Sequence, residues 1–403
     1  ELSETGVTDM VRTSSIPIFD LKPIRPREIA FDKTELNLSM RFLCEGNGGE
    51  KPEQEIIDAL EALARDYELW IQSVEEQTST LTSNLREAAK RHLDNCHNCL
   101  MRIMRGIEFL KTNGDAMLAF RLMNKAMLVQ QFHSGVIKRR ELGSEFPLIP
   151  EGYRDLPQGD RKWRPFQLAF VLMNVASMGN EEDPERAIVD LIWFPTGGGK
   201  TEAYLGLAAY AICMERLDDS GGHGTVVLMR YTLRLLTAQQ FQRAAALILA
   251  LEMMRRQKEL DANLGDAEIS IGLWVGKSLS PNKRGEARPQ LNQLRQNESA
   301  PNPFQVLECP WCAVDFTDKT NLGYIEESKF PGGPTTVLFR CPDKKCEFGG
   351  KTTSLPIYVI DEDIYDNPPT LLIGTVDKFA QIAWHKDVGR LFGIGNDAPP
   401  PSL

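Results

Sequence analysis

Three consecutive glycines, Gly197, Gly198 and Gly199, separate an apolar run from a segment with helical periodicity. The apolar run covers residues 188–194 and predicts a buried strand, and the helical pattern covers residues 201–217. Glycines let the backbone curl so that several N–H groups point at one anion, and the positive end of the following helix adds to that field. A strand, a glycine turn and a helix in this order predict a parallel α/β sheet with a phosphate site.

The residues around the glycines specify the type of phosphate loop. Lys200 supplies a point charge to the β- and γ-phosphates, and the Thr201 hydroxyl can ligate Mg²⁺. Phe194 stands where the general pattern G-x-x-x-x-G-K-[ST] has its first glycine, and the form present, P-T-G-x-G-K-T, resembles that of superfamily 2 helicases. We therefore predict an ATP site in which Lys200 and Thr201 act directly on the phosphates; a chance glycine-rich turn is the alternative. The predicted ATP-binding residues are Gln167, Pro195, Thr196, Gly197, Gly198, Gly199, Lys200 and Thr201.

Gln167 joins this set because of the segment Arg-Pro-Phe-Gln at residues 164–167. Helicases of superfamily 2 place a glutamine upstream of the phosphate loop, where its amide reads the edge of the adenine and a nearby aromatic ring stacks on the base. Gln167 fits by residue type and approximate distance. An ordinary glutamine at the start of a helix is the alternative.

Two later segments resemble nucleic-acid-contacting motifs of the same helicases. Residues 228–240 (LMRYTLRLLTAQQ) resemble a segment that offers hydroxyls, amides and a cation to phosphates, although Tyr231 stands where proline is usual. Residues 371–379 (LLIGTVDKF) resemble a later motif in which a threonine caps a helix. A capped helix N-terminus without nucleic-acid contacts is the alternative for both. The predicted nucleic-acid contacts are Arg230, Thr232, Arg234, Gln239, Thr375 and Lys378.

Four of the eight cysteines form two close pairs late in the chain. Cys309 and Cys312 are spaced C-x₂-C, and Cys341 and Cys346 are spaced C-x₄-C. Four thiolates complete a tetrahedral Zn²⁺ site without an open position, which favours a structural zinc over a catalytic one. Unrelated free thiols and an iron–sulfur cluster are the alternatives. A further pair, at residues 96 and 99, lies in a helical pattern without a partner pair and favours two half-buried thiols.

Patterns along the chain predict three regions: an extended segment over residues 1–50, a helical domain over 51–150, and an α/β lobe over 160–403. The first region contains an alternating stretch at 35–44 that predicts a strand. Prolines and turn residues predict a linker near 146–165. Within the lobe, short apolar strands alternate with helices, and the cysteine-containing module, about residues 304–355, is predicted to be an insertion.

Composition limits the class of protein. Hydrophobic residues make up 42% and charged residues 25% of the chain, as in ordinary globular proteins, and no apolar run approaches the ~18–20 residues that cross a bilayer. The net charge of −10 argues against a protein that coats nucleic acid through bulk charge, but a motor can grip a strand with a few local cations. Eight cysteines are too few for a disulfide scaffold. We expect a cytoplasmic protein with no membrane partner.

A motor of this kind needs an acidic pair that holds Mg²⁺ and orients the attacking water. Asp361 and Glu362 follow an apolar run and fit by pattern, but they precede the Thr375 motif, whereas in these helicases the acidic pair follows it. The chain finishes in a proline-rich run that resembles the approach to another strand. We therefore expect the N-terminal part of a longer motor, with its acidic pair beyond Leu403; Asp361 and Glu362 are the alternative.

The combination of motifs resembles the DrmA family, the helicase-like subunits of the bacterial DISARM anti-phage system. The resemblance rests on residues 194–204 (FPTGGGKTEAY), residues 230–240, the CPWC module, and residues 361–380. It implies the first RecA-like lobe of a superfamily 2 helicase with a zinc-ribbon insertion, preceded by a mainly helical domain. It further implies ATP, Mg²⁺ and Zn²⁺ as cofactors, DNA that is single-stranded or has a single-stranded end, and the subunit DrmB as a partner.

Three functions follow as hypotheses. The first is an ATP-driven DNA translocase in phage defence, and the second is a general helicase of repair or RNA metabolism. The third belongs to another class: a nucleotide-responsive, zinc-stabilised DNA clamp with little ATP turnover. Stimulation of ATP hydrolysis by DNA would separate the motors from the clamp, and the gene neighbourhood would separate defence from repair.

Overall fold

A computed structural model describes most of the chain, with gaps. The described residues are 30–31, 34–49, 51–141, 161–192, 198–218, 222, 224–231, 234–277, 279–297, 300–350, 354–380, 382–395 and 398–403. The predicted linker falls largely outside these ranges, as do Pro195, Thr196 and Gly197 of the phosphate loop.

The first half of the described chain is helical apart from one small hairpin. Its elements are β1 (Ala30–Phe31), β2 (Thr34–Glu35), α1 (Phe42–Glu45), α2 (Pro52–Thr78), α3 (Ser83–Thr112), α4 (Gly114–Glu141) and α5 (Pro165–Gly179). Both α2 and α5 begin with proline, whose fixed φ suits the first position of a helix. The helices over 52–112 lie in the region predicted to be helical.

The strand predicted over 35–44 is wrong beyond its first residue. Ser39 makes only an isolated bridge with Lys162, and the chain then turns into α1. The Phe42 N–H donates to the Ser39 hydroxyl at 3.2 Å, and such a local side-chain hydrogen bond competes with strand pairing. The alternating apolar residues are nevertheless buried, because the turn directs Leu38, Met40 and Phe42 into the core.

The second half alternates helices with strands. Its elements are α6 (Lys200–Asp218), β3 (Val227–Tyr231), α7 (Arg234–Gln257), β4 (Ile271–Trp274), α8 (Arg284–Gln296), β5 (Tyr324–Ser328), β6 (Thr335–Phe339), β7 (Ile357–Tyr358), α9 (Asp361–Asp366), β8 (Leu371–Thr375) and α10 (Val376–Phe379). Short 3₁₀ turns lie at Pro184–Ala187, Glu259–Asp261, Ile382–Trp384 and Lys386–Phe392. The predicted α/β class with a helical N-terminal region is confirmed.

Four strands form one parallel sheet in the order β3-β8-β4-β7. Tyr231 lies beside Thr375, so the carboxyl ends of β3 and β8 share one edge of the sheet. Val227 N donates to Thr370 O on the β8 side at 3.1 Å, whereas Leu228 N donates to Leu403 O at 2.8 Å. Because successive N–H groups of a strand point to opposite sides, residues 402–403 run along the other side of β3.

The strand predicted before the glycine turn does not form within the described residues 188–192. Val189 is 93% exposed and Leu191 is 81% exposed, so neither packs into the sheet. Asp190 instead receives two hydrogen bonds from the Arg102 guanidinium, at 2.6 and 2.8 Å. This ion pair with α3 holds the segment against the helical region.

One continuous hydrophobic core joins the helical region to the sheet. Helix α4 packs on α6 and α7, and α3 packs on α5. The α3–α5 crossing is close because Gly106 has no side chain: a Cβ there would lie 1.9 Å from the Leu172 carbonyl oxygen. No helix among the described residues is long and apolar enough to cross a bilayer.

We expect Gly106→Ala to lower the free energy of unfolding by about 1–3 kcal/mol, because the added methyl would collide with backbone and force α3 away from α5. Gly114→Ala is the matched control, since nothing lies within 4 Å of its added Cβ. Urea unfolding followed by circular dichroism measures both variants. Equal unfolding midpoints would contradict the close helix crossing.

Candidate functional site

The described glycines of the predicted phosphate loop, Gly198 and Gly199, are held by side chains from the start of α5. The Gln167 amide nitrogen donates to the Gly199 carbonyl oxygen at 2.7 Å, and the Arg164 guanidinium donates to the Gly198 carbonyl oxygen. Gly199 has a φ of +87°, a left-handed conformation that favours glycine. Lys200 then begins α6 directly. Two side chains thus fix the turn that leads into the N-terminus of this helix.

Gln167 has both ends of its amide engaged. Its oxygen accepts a hydrogen bond from the Arg164 backbone N–H at 2.8 Å, its nitrogen binds the loop, and the residue is buried. The geometry therefore places Gln167 against the glycine turn, where its amide holds the Gly199 carbonyl. Arg164 was not predicted as a site residue. Its only sequence signal was its place three residues before Gln167, the spacing of a capping box.

The first turn of α6 carries Lys200, Thr201 and Glu202. Lys200 and Thr201 are partly exposed, so both can be reached from solvent. Glu202 forms an ion pair with Arg243 of α7 at 2.6 Å. The amino end of α6 therefore combines a lysine, a hydroxyl and the positive end of a helix, a set that favours a bound phosphate.

The predicted nucleic-acid contacts separate into exposed and buried residues. Arg230 near the end of β3 and Gln239 in α7 are exposed. Thr375 is buried. Thr232 lies outside the described residues, and so does the side chain of Arg234, the first residue of α7. Only Arg230 and Gln239 of this set are seen to face solvent.

Lys378 points into the protein. It is buried, forms an ion pair with Asp361, and lies 3.4 Å from the Asn282 amide oxygen. Burial raises the pKa of the Asp361 carboxyl, while the Lys378 cation acts in the opposite direction. Lys378 and Asp361 therefore offset each other's charge at the carboxyl end of the sheet.

The acidic run at the start of α9 is held by Arg284, through both its backbone N–H and its guanidinium, and by Lys378. One Glu362 carboxylate oxygen accepts from the Arg284 backbone N–H at 2.9 Å. The Arg284 guanidinium forms ion pairs with Asp363 at 2.6 Å and Asp366 at 2.7 Å. This network fastens α9 to α8.

The structure brings the four predicted cysteines of the late module together. Their four Sγ atoms all lie within 4.8 Å of one another, and the residues are buried. Zn–S bonds of about 2.3 Å in a tetrahedron require sulfur atoms about 3.8 Å apart, and the Sγ atoms of Cys312 and Cys341 are 3.5 Å apart. The donor set and its dimensions fit a structural zinc ion.

Local backbone geometry explains how each pair forms. Cys309 and Cys312 lie in a tight turn closed by the Ala313 N–H, which donates to the Cys309 carbonyl oxygen at 2.8 Å. Cys341 lies two residues after the end of β6, and Gly349 N donates to Cys346 O at 2.8 Å. The antiparallel β5–β6 hairpin connects the two turns.

The electrostatics of the cluster favour a thiolate. Hydrogen bonds from Cys309, Cys341 and Cys346 lower the pKa of the Cys312 thiol far below its ordinary value. Burial raises the pKa of Cys309. Since the thiolate is the form that ligates metals, four converging sulfur atoms with one favoured charge suit a cation.

The cysteine module is attached to the helical region through a ring stack. The His133 ring of α4 stacks on Trp311 with centroids 3.6 Å apart, and its Nδ1 lies 2.6 Å from the Trp311 carbonyl oxygen. Burial lowers the pKa of His133 to about 4, so the ring is neutral at pH 7. The sequence held no signal for this contact, because it joins residues 178 positions apart.

Comparison of the sequence with known proteins places the chain in a family. Over 356 residues the chain is 35% identical to the DISARM protein DrmA of Bacillus paralicheniformis. The chain belongs to the DrmA family. The match covers 85% of this chain but only 30% of that DrmA protein. No family model matches the chain.

We expect the purified protein to carry about one Zn²⁺, and Cys309→Ser to lose it and to unfold at a lower temperature, because metal binding contributes to folding. Cys96→Ser is the matched control, since Cys96 is a half-buried thiol of α3 outside the cluster. Elemental analysis and thermal unfolding measure both properties. Zinc-free protein of unchanged stability would refute the site, and bound iron would indicate an iron–sulfur cluster instead.

Proposed function

We propose that this chain is the ATP-binding, first RecA-like lobe of a superfamily 2 DNA translocase that acts in bacterial defence against phage DNA. The observation that carries the proposal is the arrangement at the start of α6. There, Gln167 and Arg164 hold a left-handed glycine turn directly before Lys200 and Thr201. Membership of the DrmA family supports the DISARM context.

In this proposal the chain binds ATP mainly through fixed positive charge. Lys200 contacts the β- and γ-phosphates, and the N-terminal N–H groups of α6 add a partial positive charge. Thr201 would hold Mg²⁺, which when bound offsets charge on the phosphates. Pro195, Thr196 and Gly197 are further predicted ATP contacts. Gln167 supports the turn through Gly199, and in this proposal it exchanges its bond with the Arg164 backbone N–H for the edge of the adenine.

DNA would lie across the carboxyl ends of the parallel strands, where ligands of open α/β sheets commonly bind. Arg230 and Gln239 are exposed at or beyond the carboxyl end of β3 and can meet phosphate oxygens. Thr232 and Arg234 lie between them in sequence and are predicted to contact DNA as well. We assign Lys378 a supporting role, because its buried ion pair with Asp361 anchors the turn after β8.

The remaining parts are inferred from the family resemblance. The zinc module is structural, the DNA is single-stranded or has a single-stranded end, and DrmB is a partner subunit. A cytoplasmic location remains the prediction made from the sequence. The DrmA relationship favours phage defence over general repair or RNA metabolism.

A second function, a nucleotide-responsive DNA clamp with little turnover, is favoured by one observation. The described acidic residues that start α9 are held by Lys378 and Arg284, so Asp361 and Glu362 are poorly suited to hold Mg²⁺ and orient water. In the motor proposal, by contrast, the acidic pair lies outside this chain.

The Lys200→Ala variant of the full-length protein should lose ATP-dependent activity and bind ATP at least about tenfold more weakly, because a charge-assisted contact to phosphate is removed. Its fold should be unchanged, since Lys200 is partly exposed. Lys111→Ala, on the exposed face of α3, is the control. Equilibrium binding of a fluorescent ATP analogue and a phosphate-release assay measure both effects. Normal affinity and turnover in Lys200→Ala would disprove the phosphate-loop assignment.

Residues 1–403 alone should bind ATP weakly and hydrolyse it at a negligible rate, because in our proposal the acidic pair and the arginine of a second lobe both lie outside these residues. Loss of such an arginine alone costs roughly 10³–10⁵ in rate. Hydrolysis is measured with and without single-stranded DNA, for the wild type and for Glu362→Gln. DNA-stimulated turnover near about 1 per second, lost in Glu362→Gln, would identify Asp361 and Glu362 as the acidic pair.

A further inference from the structure

Glu202 connects the phosphate-loop helix to α7. It lies in the first turn of α6, two residues after Lys200, and its Oε1 accepts a hydrogen bond from the Arg243 guanidinium at 2.6 Å. Its other oxygen, Oε2, is buried and has no hydrogen-bond partner among the described residues. A Cβ added at Gly199 would lie 3.4 Å from Oε2, so this free oxygen faces the glycine turn.

Arg243 lies close to the residues that we propose to contact DNA. It follows Gln239 by four positions in α7, and residues four apart share one face of a helix. Burial raises the pKa of the Tyr231 phenol at the end of β3, and the nearby Arg243 cation acts against that rise. Arg243 therefore contacts Glu202 of α6 directly, and it belongs to a helix that packs against β3.

We propose that the Glu202–Arg243 ion pair couples the nucleotide site to the DNA-contacting segment, with Arg243 as a positioning residue. This inference rests on the proposed function, because it assumes ATP at Lys200 and DNA at Arg230 and Gln239.

The physical basis is the unpartnered oxygen of Glu202. A buried acceptor without a hydrogen bond is unfavourable, so a loop conformation that offers an N–H to Oε2 is stabilised. ATP that reshapes the turn at Gly199 changes the position of the Glu202 carboxylate. Arg243 is bonded to that carboxylate, so the change reaches the face of α7 that carries Gln239.

The alternative is that the Glu202–Arg243 ion pair only holds α6 and α7 together and does not couple the two ligands. The two side chains are 24% and 32% exposed, and partly exposed ion pairs contribute little to stability. If the ion pair is only structural, its removal changes the free energy of unfolding alone. If it couples the ligands, its removal also changes the ratio of the DNA affinities measured with and without nucleotide. The second quantity separates the two roles.

The test uses the full-length protein, a fluorescent single-stranded oligonucleotide and a non-hydrolysable ATP analogue. The Kd for the oligonucleotide is measured with and without the analogue, and the ratio of the two values is the coupling factor. In the wild type we expect a factor of about fivefold or more, and in Arg243→Gln a factor near 1. The Kd for each ligand alone should stay within about twofold of the wild type, because Arg243 contacts neither ligand.

Arg256→Gln is the matched control, because Arg256 also forms an ion pair in α7, with Glu252 at 2.7 Å, but near the far end of the helix. Its coupling factor should equal that of the wild type. Glu202→Gln combined with Arg243→Gln should lose no more coupling than either change alone, since both remove one interaction. If Arg243→Gln fails to fold in a thermal unfolding assay, Arg243→Lys replaces it and should retain only part of the coupling.

The outcomes are distinct. A wild type that binds no ATP overturns the proposed function and this inference together. A wild type that binds both ligands, with a coupling factor that is already 1 or is unchanged in Arg243→Gln, overturns this inference and leaves the proposed function standing.

Discussion

The burial of α7 organises the second half of the described chain. Residues 244–251 are fully buried, because the helix packs against α4 and α6 as well as against strands β3, β4 and β8. A helix that is apolar on all sides belongs in a core. Its polar residues are therefore confined to its two ends: Gln239, Gln242 and Arg243 near the start, and Glu252 with its arginines near the finish. The amino-terminal half of α7 contacts both α6 and Glu308 of the cysteine module.

The local patterns of the sequence were enough to predict helices α6 and α7, strands β3, β4 and β8, and the cysteine cluster. Helices α6 and α7 have apolar stretches of helical length, and β3, β4 and β8 are short apolar runs between turn residues. The two cysteine pairs converge because each pair lies in its own tight turn and a hairpin joins them. These features depend on neighbours in sequence, so spacing alone reveals them.

Long-range ion pairs explain where sequence reasoning failed. The apolar run at 188–192 reads as a strand, but Asp190 is held by Arg102, 88 residues earlier. The sequence pattern predicts that Lys378 contacts a nucleic-acid phosphate, but Lys378 is buried and paired with Asp361. No pattern in either segment identifies its partner, since the partner comes from a different element. The same reason hid the Glu202–Arg243 pair and the stack of His133 on Trp311.

The contact of residues 402–403 with β3 also bears on how the sheet avoids misassembly. An open strand edge offers unpaired N–H and C=O groups to other molecules, and β3 would be such an edge on the side away from β8. Leu403 and Ser402 occupy part of that side, and β7 at the opposite edge is only two residues long. The neighbours β3 and β8 are far apart in sequence, and non-local pairings of this kind form slowly. Short and covered edges reduce the chance that a partly folded chain adds a strand from a second copy before its own sheet is complete.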